Sequence, residues 1–135
     1  MEKYVAGHYV AASPRPKVLP ASEASRLALQ TASSHPGAFV VRGRGESMRP
    51  LYPNGTILVV QPLPYPNLQR GMTVMFRSRA NHTVAHVLVA RTADGWRTSG
   101  LNNRRHDYLQ VTADNIAGVV VAAFIEGNAR QVALR

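Results

Sequence analysis

From Gly37 onward the chain is written in short β-forming runs, and that pattern removes most architectures before any motif is considered. Ala38–Val41, Ile57–Val60, Thr73–Phe76, Thr83–Ala90, Trp96–Thr98 and Ile116–Phe124 are rich in Val, Ile, Thr and Phe. Pro, Gly and Asn turns separate them. Residues of this kind suit a pleated, half-buried surface, and turns at this spacing predict a compact barrel-like or sandwich β fold. A further strand is expected at Gln131–Leu134. The stretch Gln61-Pro62-Leu63-Pro64-Tyr65-Pro66-Asn67 is expected as a loop. Each proline there removes a backbone donor that a helix or a central strand would need.

The segment before Gly37 reads differently. Pro14, Pro16 and Pro20 describe an extended arm, with a short strand expected at Tyr4–Val10. After Pro20 the sequence predicts one short helix over residues 22–33. Ser22 is expected as its N-cap, Glu23 suits the positive helix end, and Ala24, Leu27, Ala28 and Leu29 offer an apolar face. The helix is expected to stop before His35-Pro36-Gly37. The chain therefore divides into an N-terminal arm, residues 1–36, and a β domain, residues 37–135. The fold class is mainly β with one short N-terminal helix.

The 135 residues suffice for one domain with a core, and 45% apolar against 17% charged content describes a globular chain. There is no cysteine, which excludes disulfides, thiolate catalysis and cysteine-type zinc sites. No metal and no cofactor is expected. Sixteen Lys and Arg against seven Asp and Glu leave a net charge of +9, spread from Arg15 to Arg135. A basic surface suits acidic partners such as nucleic acid or anionic lipid, and it also serves solubility alone. No basic cluster is interleaved with aromatic residues as a single-strand-binding surface requires, so nucleic acid has no motif here. The longest apolar or Gly run, Ile116–Ile125, is ten residues, about half a bilayer span. Met1–Val10 has no apolar core of signal-peptide length. A soluble, cytoplasmic protein without a transmembrane segment is expected.

The candidate chemistry lies in Gly43–Gly55, G-R-G-E-S-M-R-P-L-Y-P-N-G, a serine on a glycine-flanked turn between two apolar strands. A serine hydroxyl needs a neighbouring base to act as a nucleophile. The histidines are His8, His35, His82, His86 and His106. His86 lies inside the run Thr83–Ala90, where alternation puts it on the face of Val84 and Leu88. That position equally describes a core or edge histidine satisfied locally. His82 and His106 fall in turns and are expected to be exposed. The nearby acids downstream are Asp94, in an apparent Asp94-Gly95 turn, Asp107 and Asp114. Asp107 follows the polar loop Gly100–His106, which can fold back over a site and let the carboxylate orient a histidine. It equally describes a loop carboxylate paired with an arginine neighbour.

Taken in order, these features resemble the signal peptidase I and LexA-type serine peptidases of the S24/S26 kind. The resemblance runs from about Ala38 to Phe124, and its most specific segment is Gly45-Glu46-Ser47-Met48-Arg49-Pro50. Most of that family uses a lysine base. No lysine follows Lys17 here, and His86 stands in the matching strand. The chain is thus closest to the Ser-His variant found in endoplasmic-reticulum and archaeal signal peptidases. Ser99–Asp107 is similar to that subgroup's G-D-N-N loop and its following aspartate. The resemblance implies a serine endopeptidase cutting a peptide or protein beside small residues. It implies Ser47 as nucleophile, His86 as base and Asp107 as the assisting acid. Ser47, Met48 and Gly45 are then the residues around the oxyanion and the substrate. Ala6-Gly7 in the arm offers a small-residue site for self-cleavage.

The sequence also departs from the family pattern. Gly55-Thr56, Gly71-Met72 and Gly100-Leu101 keep the glycine of a Gly-Asp turn and lose the aspartate. The membrane anchor of signal peptidases and the helix-turn-helix of LexA-type repressors have no counterpart in this sequence. The alternative is a catalytically silent binding or dimerisation module of the same fold, a homodimer or a nucleic-acid binder through its basic surface.

Overall fold

A computed structural model describes residues 9–78 and 81–127. The elements in order are β1 (Lys17–Leu19), α1 (Ala21–Ser33), β2 (Phe39–Arg42), β3 (Ile57–Gln61), a 3-10 turn (Tyr65–Asn67), β4 (Thr73–Arg77), β5 (Thr83–Arg91), β6 (Trp96–Ser99) and β7 (Ile116–Glu126). The fold is mainly β with a single helix among the described residues, as the run pattern predicts. The expected strand at Gln131–Leu134, the pair Ala6-Gly7 and most of the expected Tyr4–Val10 strand lie outside the described residues. Tyr9 and Val10 are not strand.

The strands form one seven-stranded sheet of order β2-β3-β7-β4-β5-β6, with β1 pairing in parallel alongside β7. All the other pairings are antiparallel. The sheet is not closed into a barrel. Strand β7 is its spine. Its first half pairs with β4, through Met75↔Gly118, and its far end with β1, through Lys17↔Phe124. On its other side β3 runs from Ile57↔Phe124 to Gln61↔Val119. Irregularities interrupt the register of β7 against β3 and β4, and of β5 against β6, where bulges bend and twist strands.

Alternation along the strands builds three apolar clusters. Leu58 and Val60 of β3, Val87 of β5, and Val120 and Ala123 of β7 meet Met48, Tyr52 and Leu101 from the loops. Ile57 and Val59, one residue out of phase, face Ala24 and Ala28 of α1 together with Phe124. A third cluster joins Leu68, Val74, Phe76, Leu88, Trp96, Val111 and Val119.

The helix differs from expectation in two details. Pro20 occupies the N-cap position with no side-chain cap, and Ser22 falls inside the first turn. Pro20 still contributes, since its carbonyl accepts the N–H of Ala24 at 2.8 Å. Ala24 and Ala28 are fully buried, whereas Leu29 is 64% exposed, because the small residues let the helix lie close on the sheet. Strand β1, unannounced by any β-rich run, forms because the arm borrows its pairing from the end of β7. The Pro-rich loop carries a single 3-10 turn at Tyr65–Asn67, so it is not wholly irregular. Proline is tolerated at the start of such a turn because the first N–H groups have no internal partner.

Two side chains fasten the arm to the sheet. The buried Ser13 hydroxyl donates to the Gly71 carbonyl at 2.6 Å and shares a 2.8 Å bond with Thr73 Oγ1. The Tyr52 hydroxyl donates to the Pro14 carbonyl at 2.6 Å.

Candidate functional site

The turn that carries Ser47 is fixed at both ends by backbone bonds. The Gly43 N–H donates to the Thr56 carbonyl at 2.8 Å, and the Gly55 N–H to the Gly43 carbonyl at 2.9 Å. Gly45 has φ +90°, a left-handed conformation that costs glycine nothing and other residues a steric penalty. The Gly45 N–H donates to Asn54 Oδ1 at 2.7 Å. Beyond the serine, Met48 and Tyr52 are 5% and 4% exposed and plug the turn into the core. Ser47 is thus a half-buried residue between a glycine hinge and two buried anchors.

His86 sits in the middle of β5, opposite Val74 of β4, and is 7% exposed. The edge of its ring meets Phe76, with centroids 6.3 Å apart and planes at 69°. Its Nε2 lies 3.0 Å from Ser47 Oγ and its Nδ1 lies 2.7 Å from Asp107 Oδ2. The histidine is therefore satisfied at both nitrogens, and by the two side chains that the sequence singled out. An ionised carboxylate can only accept hydrogen bonds. In the neutral ring the proton then belongs on Nδ1, and the Nε2 lone pair points at the serine hydroxyl.

Asp107 does not pair with its arginine neighbours. Its N–H donates to the Thr98 carbonyl at 2.8 Å, and its Oδ2 accepts the Thr98 hydroxyl at 2.6 Å. Thr98 is fully buried on β6. It was not legible as a site residue, because a threonine in a strand is ordinary and nothing local marks its partner nine residues on. Asp94 and Asp114 lie elsewhere, their N–H groups bonded to the Thr92 and Thr112 hydroxyls. His82 and His106 are exposed, and His35 bonds the Thr31 carbonyl at the end of α1. His8 is outside the described residues.

The loop after β6 also reaches the serine directly. The Asn102 N–H donates to the Ser47 carbonyl at 2.8 Å, and Asn102 Nδ2 donates to the Glu46 carbonyl at 3.2 Å. Gly55 and Gly71 have the positive φ expected of turn glycines, and Gly100 does not. Gly100 answers to space instead. A Cβ there would stand 2.7 Å from the Ser47 carbonyl oxygen and 3.0 Å from Ser47 Cβ.

A cavity of about 370 Å³ opens beside Ser47. Val41, Met48, Leu58, Met75 and Ala85 give it an apolar lining, and Arg44 stands among its polar residues. Strands β2 and β5 are far apart in the sheet order yet both line it, so the open sheet coils around the site. Among the described residues β2 pairs only with β3, which leaves its outer edge unpaired. The Gly45 N–H is already committed to Asn54, while the Ser47 N–H has no acceptor among the described residues. No group of three or more metal-ligating side chains occurs among the described residues, and none of their helices is long and apolar enough to cross a membrane.

A strand-borne histidine bridging a turn serine and a half-buried carboxylate, on a coiled β sheet, is an arrangement able to activate a hydroxyl. The Peptidase S24-like family matches residues 3–121 of the chain, and the chain belongs to that family. No curated protein matches the sequence.

Proposed function

We propose that this chain is a serine endopeptidase that hydrolyses peptide bonds beside small residues, with Ser47 as nucleophile, His86 as base and Asp107 as the group that orients it. The observation carrying this reading is the unbroken series Ser47 Oγ, His86 Nε2, His86 Nδ1, Asp107 Oδ2, with contacts of 3.0 and 2.7 Å. Ser47 Oγ attacks the scissile carbonyl carbon while its proton passes to His86 Nε2. The imidazolium is stabilised by Asp107, itself held by the Thr98 hydroxyl. Collapse of the tetrahedral intermediate breaks the C–N bond as His86 returns the proton to the leaving amine. Water, deprotonated by the same nitrogen, then hydrolyses the acyl-enzyme. The free N–H of Ser47 is the donor in reach of the oxyanion. The unpaired edge of β2 and the apolar cavity suit an extended peptide that adds as a strand.

The test is cleavage of a peptide library rich in Ala, Gly and Ser. The wild type is expected to cut it, Ser47→Ala to be inert, and His86→Ala to lose roughly 10²–10⁴-fold in kcat/KM. Wild-type turnover no higher than that of Ser47→Ala would overturn the reading and leave a silent binding module.

A further inference from the structure

Three arginines surround the Ser47 turn, and two of them are answered within the molecule. Arg42 donates from both Nη atoms to Glu126, at 3.1 Å each, and from Nη1 to the Gly55 carbonyl at 3.0 Å. Arg49 meets Glu46 at 3.3 Å. Arg44 is exposed, has no ion pair or hydrogen bond among the described residues, and lines the same cavity as Ser47. Its place is nonetheless fixed. Gly43 before it is held by two backbone bonds to Gly55 and Thr56, and Gly45 after it is tied to Asn54. Glu46, the one acid on the turn, is already neutralised by Arg49. The cavity therefore combines an apolar lining with an arginine that is uncompensated among the described residues, on a chain of net charge +9 that draws acidic peptides toward it.

We propose that Arg44 is a specificity-determining residue, selecting substrates that carry an Asp or Glu side chain within a few residues of the cleaved bond. This rests on the peptidase reading in that the cavity is taken as a peptide site. An extended peptide with a small residue at Ser47 has its flanking side chains along the cavity, and a carboxylate there meets the guanidinium. Exposed ion pairs are modest, so the expected preference is about 2- to 5-fold over the neutral Gln or Asn peptide. Screening shrinks it as salt rises.

The experiment measures binding apart from turnover. Peptides with one Glu or Gln moved through the positions around a small-residue site are titrated onto the Ser47→Ala protein, alone and with Arg44→Ala, at low and high salt. The same peptides are assayed for kcat/KM on the wild type. The expected result is a Glu preference at one or two positions that vanishes in Arg44→Ala, survives in part in Arg44→Lys, and turns toward Lys peptides in Arg44→Glu. Arg97→Ala, which removes an equal charge from β6 outside the cavity lining, is expected to keep the preference. A Glu-to-Gln ratio unchanged by Arg44→Ala, or lowered as much by Arg97→Ala, overturns the proposal. Absent cleavage with an Arg44-dependent Glu preference in binding would overturn the peptidase reading and, with it, the role of Arg44 toward a cleaved bond, leaving the cavity as a site that only binds acidic peptides.

Discussion

The turn that carries Ser47 and the loop that carries Asp107 reach the same histidine by different means. The turn adds burial to the backbone bonds at its ends. Met48 and Tyr52 sink into the cluster with Leu58, Val87 and Val120, so the serine is located by core packing. Beyond Leu101, which joins the same cluster, the loop is held by hydrogen bonds. Its residues Arg104, Arg105 and His106 are exposed and Tyr108 is 78% exposed, yet Asp107 is clamped to Thr98 through backbone and side chain. One half of the site should therefore fail together with the fold, and the other half should fail in chemistry alone.

The largest effect is expected on the buried side. Met48→Ala opens a hole beneath the serine, and a core truncation of this kind costs about 2–5 kcal/mol. Thermal or denaturant unfolding is expected to show that loss, with Ser47 reactivity falling in parallel. Unchanged stability would mean that core packing does not hold the turn.

Gly100→Ala comes next, because it joins the two halves. The added Cβ would stand 2.7 Å from the Ser47 carbonyl oxygen, which is backbone and cannot swing away. The expected cost is about 1–3 kcal/mol of overpacking. The Asn102-to-Ser47 hydrogen bond would loosen too, visible as faster exchange of the Asn102 amide.

Thr98→Val probes the loop that carries Asp107. It keeps shape and removes the hydroxyl that holds Asp107. A hydrogen bond to a charged group is worth about 1.5–3 kcal/mol, so acylation of Ser47 should slow by roughly 10- to 100-fold if that bond acts through His86. Circular dichroism should show an unaltered fold. Equal acylation rates in Thr98→Val and wild type would mean that Asp107 is placed by its backbone alone.

The smallest effect concerns alkaline stability. Burial pushes the Tyr52 phenol well above the ordinary tyrosine range. A raised native value leaves stability intact below the unfolded pKa, about 10. Above it the unfolded chain ionises while the native one resists, so stability falls as pH rises. Tyr52→Phe loses the bond to Pro14, about 1 kcal/mol, and should show a flatter decline above pH ~10 in denaturant titrations. A decline as steep as the wild type's would place the alkaline sensitivity elsewhere.

The two regions also differ in how they could be read in advance. Glycine at 45 and 55, the bounding apolar runs and the Ser-Met-x-Pro core made the turn visible, because burial and turn geometry leave local signatures. The β runs were legible for the same reason, with boundaries a residue or so short. The histidine was visible only as an imidazole among aliphatics in a strand, a pattern equally consistent with a core residue. The Asp107 clamp was not legible, since its partner Thr98 is set by loop return rather than spacing. Strand β1 and the true reason for Gly100 were hidden likewise. Pairing with β7 and closeness to Ser47 exist only in three dimensions. Ser22 misled because a good cap residue loses to the chain direction that Pro20 imposes.

In the proposed mechanism His86 makes Ser47 reactive. A serine-directed acylating probe, followed by intact mass and peptide mapping, tests it without a known substrate. A single adduct on Ser47 is expected in the wild type, none in Ser47→Ala, and acylation slowed by roughly 10²-fold or more in His86→Ala. A wild type that takes no adduct, or one whose labelling rate His86→Ala leaves unchanged, would contradict it.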